Sequence, residues 1–279
     1  MSRIIRALEK AEREKRASQD NDIFAEILSA EKPIEEKRPP RIQLEREPEI
    51  VPILPVESEV IPLVLPDSFA AEQIRKIKTF LFTRGPRNSH FILITSALPG
   101  EGKTTVAMNL AISISHEINK KAVLIDADLR KPNIFPGKYP LGICDYILRG
   151  VPLREILYPE GDNLWIIPAG SPSPRAAELI GAKRMMDLKR ELQQMGEDVY
   201  IILDSPPAVV SSEPMLLSEW VDGIILVIMS QKVSRPEMQR VIDALGREKF
   251  IGVVFNDKNL SVSKKYPYYS GYYRAYHKK

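Results

Sequence analysis

The segment HFILITSALPGEGKTTVAMNLAISISHEI, residues 90–118, gives the clearest indication of the fold of this chain. Its first seven residues form an apolar run without polar alternation, which is typical of a strand that is buried on both faces. Two glycines follow within a short turn, and residues 102–118 have the pattern of a largely buried helix. A strand, a glycine-containing turn and a helix in direct succession predict the first unit of a parallel α/β sheet.

The same alternation of strand and helix continues to residue 256. Short Val/Ile/Leu runs predict further strands, and the segments between them predict helices. Because βαβ crossovers are right-handed, such a chain builds a parallel sheet with helices on both faces. We therefore expect an α/β fold with a doubly wound, mainly parallel sheet. The expected strands are 122–128, 164–170, 199–205, 223–230 and 251–256, and the expected helices are 69–82, 175–195, 212–220 and 234–246.

The composition argues against several classes of protein. A single cysteine, Cys144, allows no internal disulfide framework and no CxxC metal site, and three scattered histidines have no metal-ligand spacing. No apolar run approaches the roughly 18 residues of a membrane-spanning helix, and the charged N-terminus does not resemble a secretory signal. A net charge of +3 is too small to indicate nucleic-acid binding. We expect a cytoplasmic protein.

Four regions differ in composition. Residues 1–32 predict a basic amphipathic helix, which fits an anionic membrane surface, a protein partner or simple solvent exposure. Residues 33–67 contain eight prolines and predict an extended linker. Residues 68–260 hold the predicted α/β domain. Residues 261–279 form a tail that holds six of the ten tyrosines of the chain, and this tail has no pattern of a packed element.

A phosphate-binding loop follows the first strand. Residues 97–104, ALPGEGKT, match the pattern G-x-x-x-x-G-K-[ST] except at Ala97. The glycines let backbone N–H groups turn toward phosphate oxygens, and the N-terminus of the next helix adds positive potential. Lys103 can neutralise the β and γ phosphates of ATP, and the Thr104 hydroxyl can ligate Mg²⁺. The candidate nucleotide site comprises Gly100, Glu101, Gly102, Lys103, Thr104 and Thr105.

Three aspartates follow predicted strands at their carboxyl ends. Asp126 and Asp128 lie in the segment LIDAD, and Asp204 ends the segment IILD. Ligands of open α/β sheets bind at this edge, so we expect the three carboxylates to converge on the P-loop. An aspartate after an apolar strand is by itself a common turn or cap residue. Its combination with the GKT loop predicts a P-loop NTPase that uses ATP and Mg²⁺.

The order of these motifs resembles that of the deviant Walker ATPases, which have a second acidic motif soon after the P-loop. Within that group, ALPGEGKT and LIDADLRKP resemble the bacterial tyrosine kinases (BY-kinases) of exopolysaccharide and capsule export, in particular the cytosolic autokinases. The resemblance covers residues 70–257, and the tyrosine-rich tail is a second match. Leu98 supports it, because the partition and division-site ATPases carry a lysine at this position.

The resemblance implies an ATP-dependent protein tyrosine kinase that phosphorylates its own tail in trans. The implied catalytic residues are Lys103, Asp126 and Asp128, with Asp126 accepting the proton of the tyrosine. Metal binding would fall to Thr104, Asp128 and Asp204. Such a site acts mainly by positioning and by charge stabilisation.

The resemblance also assigns the phosphate contacts and the acceptors. Arg130, two residues after the second acid, would contact phosphate, or would simply lie on the surface. Tyrosine hydroxyls have a pKa of about 10, so they need a base at neutral pH. The implied acceptors are Tyr266, Tyr268, Tyr269, Tyr272, Tyr273 and Tyr276.

Assembly and partners are implied by the same resemblance. The family carries E-x-x-R-x-x-R on a helix that packs subunits into a ring, and this chain has Glu72, Arg75 and Lys78 at those positions. Lysine lacks the bidentate fork of arginine, and a solvated helix face is the alternative. A homo-oligomeric ring, with the octamer as one form, is the implied state. The implied partners are the cytoplasmic tail of a membrane polysaccharide co-polymerase (chain-length determinant) and a cognate tyrosine phosphatase, at the inner face of the cell membrane.

Two other functions remain open at the level of the sequence. A positioning ATPase of the partition or division-site type would use the basic N-terminal helix or the aromatic tail on a membrane or DNA. Leu98 argues against the dimer switch of that class. A non-enzymatic scaffold for export machinery would bind nucleotide only for stability. The phosphotyrosine content of the wild type and of Lys103→Met distinguishes these functions.

Overall fold

The computed structural model describes residues 69–84, 90–135, 137–229 and 233–256. The predicted N-terminal helix at 1–32, the linker at 33–67 and the tyrosine tail at 261–279 lie outside these residues. No helix in the described part is both long enough and apolar enough to cross a membrane.

Seven strands of the described part form one sheet, with the order β3-β4-β2-β5-β1-β6-β7. Each neighbouring pair is parallel except β3 with β4, which is antiparallel. The predicted mainly parallel α/β sheet is therefore confirmed. The strands are β1 Phe91–Ser96, β2 Lys121–Asp126, β3 Tyr158–Pro159, β4 Leu164–Ile167, β5 Val199–Asp204, β6 Gly223–Met229 and β7 Phe250–Asn256.

The first helix of the described part precedes β1, and the other helices lie between the strands along the chain. A one-turn 3₁₀ helix, Arg247–Lys249, precedes β7. The α-helices are α1 Phe69–Arg84, α2 Lys103–Ser115, α3 Ile143–Arg149, α4 Leu153–Ile156, α5 Ala176–Ile180, α6 Lys183–Gln193, α7 Glu213–Ser218 and α8 Arg235–Leu245.

The sheet has a hydrophobic core on each face, because successive side chains of a strand point to opposite sides. In β1, Leu93 joins the core that contains buried residues of α3, α5, α6, α7 and α8. Its neighbours Ile92 and Ile94 join the other core, which contains buried residues of α1 and α2. Helices therefore cover both faces, as the doubly wound fold requires.

One expected helix is wrong. The segment 175–195 is two helices, α5 and α6, separated at Gly181 and Ala182. Ala182 has an extended backbone with φ −70° and ψ 149°, which ends helical hydrogen bonding. The apolar spacing continues across this break, so periodicity alone did not reveal it. The short elements α3, α4 and β3 were also missed, since two to seven residues carry little periodic signal.

Candidate active site

The P-loop lies between β1 and α2, and its shape depends on Gly102. This residue caps the N-terminus of α2 with φ 92°, in the left-handed region that favours glycine. A Cβ atom at Gly102 would lie 1.9 Å from Asn256 Nδ2, so a larger residue would also collide with the end of β7. Lys103 starts α2, and Thr105 in the same first turn accepts a hydrogen bond from Asn109 through its carbonyl group. The first helical turn therefore sits where the motif predicts.

Glu101 ties the P-loop to the carboxyl ends of β6 and β7. Its side chain is fully buried and accepts hydrogen bonds from the backbone N–H of Leu98 at 2.7 Å and of Met229 at 2.9 Å. Its carbonyl oxygen accepts a hydrogen bond of 2.8 Å from Asn256 Nδ2. The motif predicts Glu101 as a nucleotide-binding residue, and in the structure its carboxylate holds the loop in position. Asn256 was not predicted, because the end of β7 carries no local motif.

Lys103 and Asp204 form the centre of the site. Lys103 Nζ lies 3.6 Å from Asp204 Oδ1 and donates a hydrogen bond to Thr104 Oγ1 at 3.1 Å. Asp204, at the end of β5, is completely buried, and neither of its carboxylate oxygens has a hydrogen-bond partner among the described residues. Burial raises the pKa of Asp204 to about 6, although the charge of Lys103 and the neighbouring Thr104 hydroxyl oppose the shift. A buried carboxylate without donors is costly unless a cation or water satisfies it.

Asp126 ends β2 beside Asp204, its register partner on β5. It is fully buried, and its oxygens accept three backbone hydrogen bonds. Oδ1 accepts from Asp128 N at 3.1 Å, and Oδ2 accepts from Asn133 N and Ile134 N, each at 2.9 Å. Burial, followed by repulsion from Asp204, raises the pKa of Asp126 to about 7, against the effect of these donors. The carboxyl group is thus held in one orientation and titrates near neutrality.

Asp128 lies just beyond the end of β2 and is close enough to Lys103 to be affected by its charge. Its side chain is almost fully buried, and Oδ1 accepts a hydrogen bond of 3.0 Å from Lys131 N. Burial raises the pKa of Asp128, while the charge of Lys103 opposes this shift. The three aspartates and the P-loop lysine therefore converge at the carboxyl edge of the sheet, as expected from the parallel topology.

Arg130 lies beside these acids and is held by an acid that the sequence did not indicate. Arg130 Nε donates to Glu213 Oε1, and the Ser211 hydroxyl donates to Glu213 Oε2. The Glu213 side chain is fully buried, whereas that of Arg130 is half exposed. Burial alone would raise the pKa of Glu213, but the hydrogen bonds from Arg130 and Ser211 outweigh it and lower this pKa. Glu213 begins α7, where a carboxylate also interacts favourably with the helix N-terminus.

The residues of the predicted ring motif form two ion pairs, one within α1 and one from α1 to Glu117, which follows α2. Arg75 Nε donates to Glu72 Oε2 at 2.8 Å, and both side chains are about two-fifths exposed. Lys78 instead donates to Glu117 of the same chain at 2.5 Å, and only 14% of its side chain is exposed. Lys78 therefore contributes to packing of α1 near the end of α2.

The donor set fits Mg²⁺ bound together with phosphates. Asp204 offers two oxygens without donors, and Thr104 and Asp128 add oxygens nearby. The described residues contain no cluster of three His, Cys, Asp or Glu that would hold a metal alone. This matches Mg²⁺, which usually takes one or two carboxylates and completes its shell with water and substrate phosphates.

A mainly parallel sheet with a strand–GKT loop–helix unit and convergent strand-end acids defines a P-loop NTPase. No family model matches the sequence. The chain is 32% identical over 221 residues to "Tyrosine-protein kinase YwqD" of Bacillus subtilis, covering 77% of this chain and 92% of that protein.

Two solved kinase domains have the same fold. The VpsO kinase domain superposes with a TM-score of 0.62 and 29% identity, over 68% of this chain and 95% of that chain. The kinase domain of the Escherichia coli tyrosine kinase ETK superposes with a TM-score of 0.61 and 26% identity, over 79% of this chain and 87% of that chain. This protein belongs to the bacterial tyrosine-protein kinase family, which confirms the resemblance seen in its motifs.

Proposed function

We propose that the protein is an ATP- and Mg²⁺-dependent tyrosine autokinase that phosphorylates the C-terminal tyrosine cluster of a second copy. The observation that carries this proposal is the convergence of Lys103, Asp126, Asp128 and Asp204 at one edge of the sheet. In the reaction, the phenolic oxygen of the acceptor attacks the γ-phosphorus of ATP. The bond from that phosphorus to the bridging oxygen breaks, ADP leaves, and the phenolic proton passes to Asp126.

The P-loop would hold the triphosphate. Backbone N–H groups around Gly100 and Gly102 and the N-terminus of α2 supply donors for the phosphates. Lys103 stabilises the negative charge of the transferring group, and its position beside Asp204 keeps its ammonium group oriented toward the metal ligands. Thr105, in the first turn of α2, would add a further contact to the phosphates.

Thr104, Asp128 and Asp204 would hold Mg²⁺. When bound, the metal neutralises charge on the phosphates and helps to align them for transfer. Asp204 gains most from a bound cation, because its oxygens accept no hydrogen bond from the described residues. Arg130 would contact phosphate through the half-exposed end of its side chain, because its Nε is held by Glu213.

Asp126 is the proposed base. An ionised carboxylate has about four acceptor positions, and backbone N–H groups take three of them. The remaining position can accept the phenolic proton in a fixed orientation. A pKa of about 7 is well suited to a base at neutral pH.

The proposed acceptors are the six tail tyrosines, Tyr266 to Tyr276. We propose transfer between neighbours of a ring, with Glu72 and Arg75 of α1 at the subunit contact because both side chains reach solvent. The intrachain pairing of Lys78 argues for a smaller contribution from that residue.

The proposed setting is regulation of exopolysaccharide polymerisation and export at the inner face of the cell membrane. Support comes from the motif resemblance to the kinases of polysaccharide export and from the basic amphipathic pattern of residues 1–32. The cytoplasmic tail of a membrane co-polymerase would activate the kinase, and a cognate phosphatase would reset the tail.

Phosphosite mapping tests this function. Wild type and Lys103→Met are incubated with Mg-ATP, with and without membranes of the source cells, and tail peptides are analysed by mass spectrometry. We expect phosphotyrosine in the wild type and none in Lys103→Met or in EDTA. An unmodified wild-type tail in every arm would refute the proposal, and salt-sensitive DNA or vesicle binding with silent tyrosines would favour a positioning ATPase.

A further inference from the structure

An exposed apolar ridge follows β5 at the mouth of the site. We define the ridge as Val209, Val210, Met215 and Leu216, whose exposed fractions are 46%, 62%, 48% and 40%. The described residues include ten exposed large hydrophobic side chains, and four of them fall within these eight positions. Scattered exposed apolar residues need no explanation, but a concentration beside a site indicates an interaction surface.

The ridge is attached to the phosphate site on both sides. On one side, Ala208 N donates to Ser96 O at 2.8 Å and Val209 N donates to Ala97 O at 3.1 Å, so the segment lies against the start of the P-loop. On the other side, Glu213 of the same segment binds Arg130, which follows the acids of β2. A chain that lies on the ridge is therefore close to the start of the P-loop and to the segment after β2 that follows Asp126, the proposed base.

The tail has the chemistry to occupy this surface. From residue 264 onward it carries six tyrosine rings and five Lys or Arg, with no acid and no aliphatic residue larger than Ala275. Tyrosine combines an apolar ring with a polar hydroxyl, and methionine makes favourable contacts with aromatic rings. The acids Asp126, Asp128 and Asp204 give the adjoining site a negative field that attracts a basic peptide.

We propose that the ridge is the acceptor-docking surface, which binds the rings of the tyrosine-rich tail of a second copy and presents one hydroxyl to the site. This inference rests on the proposed function. It adds that selection of tyrosine depends on apolar contacts outside the phosphate site. The ridge determines acceptor specificity, while the P-loop and the aspartates perform the transfer.

An asymmetric trans assay tests the ridge. The kinase copy is the full chain with its six tail tyrosines changed to phenylalanine, and the acceptor copy is full-length Lys103→Met. The pair Val210→Ser and Met215→Ser is introduced into one copy at a time, and labelling is followed against acceptor concentration. Ile118→Ser is the matched control, because Ile118 is 83% exposed and follows α2 at the opposite edge of the sheet from the site.

We expect the double substitution in the kinase copy to raise the KM for the acceptor about tenfold, since two partly exposed apolar contacts are lost. The same change in the acceptor copy, and Ile118→Ser in either copy, leaves the KM unchanged. The Kd for ADP and the melting temperature are measured for each variant, so that damage to the phosphate site or to folding is recognised.

The remaining outcomes overturn the inference. An equal rise in the KM for the acceptor from either copy would show that the ridge is a contact between kinase subunits. No change in the KM from either copy would show that the ridge does not bind the acceptor. Labelling that is independent of protein concentration in the wild type would show that the chain uses its own tail. Loss of all labelling in the unsubstituted pair would refute the proposed function itself, which is a result distinct from a failure of the ridge.

Discussion

The ammonium nitrogen of Lys103 lies 3.6 Å from Oδ1 of Asp204, at the junction of the P-loop with the end of β5. The Asp204 carboxylate is completely buried and accepts no hydrogen bond from the described residues. Among these residues, Lys103 carries the positive charge that lies nearest to it. The pair joins the phosphate-binding loop to the candidate metal ligands. Its strength depends on the low dielectric of the site, where a single charge has a large effect.

Lys103→Met is expected to lower tyrosine phosphorylation by at least about 100-fold, the usual effect of removing one group that stabilises transition-state charge. Methionine keeps the volume of the side chain but removes the cation. Lys120→Met is the matched control, because Lys120 pairs with Asp198 at the opposite edge of the sheet. Initial rates measured with γ-labelled ATP check the result, and equal rates for the two variants would contradict the role of Lys103.

The nucleotide- and metal-free protein is expected to lose stability as the pH rises. Folding raises the pKa of Asp126 from 3.8 to about 7 and that of Asp204 from 3.8 to about 6. Between these values the folded state binds more protons than the unfolded state, so the free energy of unfolding falls as pH increases through this window. Calorimetry in EDTA between pH 5 and pH 8 should show a higher melting temperature at pH 5.

Asp204→Asn provides the control for this pH dependence. Its carboxylate accepts no hydrogen bond from the described residues, so an amide of the same shape leaves no backbone donor unsatisfied. We expect the variant to have a shallower slope of melting temperature against pH and to be more stable than the wild type at pH 8. An unchanged slope would mean that Asp204 is not the group responsible.

Asn256 is expected to control nucleotide affinity through the P-loop. Asn256→Ala removes the 2.8 Å hydrogen bond to the Glu101 carbonyl and should weaken ADP binding about fivefold to tenfold, since one such bond contributes about 1 kcal/mol. Asn256→Asp should be worse, because a carboxylate would face a carbonyl oxygen. Calorimetric titration measures both. Asn163→Ala, next to the start of β4, is the control. Similar affinities for ADP in all three variants would show that the hydrogen bond from Asn256 to Glu101 does not control nucleotide binding.

Glu213 is expected to act through Arg130. In Glu213→Gln, one amide oxygen replaces two carboxylate oxygens that accept from Arg130 and Ser211, so Arg130 loses its orientation. We expect a rise of about threefold to tenfold in the KM for ATP, the scale of one charged hydrogen bond at a half-exposed group. Arg130→Ala should have the same effect, and the double variant should be no worse. If the two effects on the KM for ATP were additive in the double variant, Glu213 would not act through Arg130.

Lys78 and Arg75 are expected to differ in what they stabilise. Lys78→Met breaks the pair with Glu117, whose side chain is 40% exposed, and should lower the stability of the subunit by at most about 1 kcal/mol without changing the oligomer. Arg75→Ala should lower the oligomer mass if α1 forms the ring contact. Light scattering and thermal melts measure the two properties. If Lys78→Met dissociated the oligomer without changing the melting temperature, Lys78 would belong to the subunit contact and this prediction would be contradicted.

The sequence predicted much of the site because its signals are local. The strand before the P-loop, the glycine turn at residues 100–102 and the acids at strand ends each occupy a few consecutive residues. Parallel topology then brings the carboxyl ends of β1, β2 and β5 to one edge. The prediction of one helix over residues 175–195 was wrong, because the apolar spacing continues across Gly181 although the helix breaks there into α5 and α6.

The α/β class, the P-loop and the strand-end acids could be predicted from the sequence, since helical and strand periods and turn chemistry act over a few residues. The side chains that support them are apparent only in the folded chain. Asn256 meets Glu101 across 155 positions, Arg130 meets Glu213 across 83, and Lys78 meets Glu117 across 39. Such contacts depend on the order and register of the strands, which bring distant segments together without any local pattern at either partner.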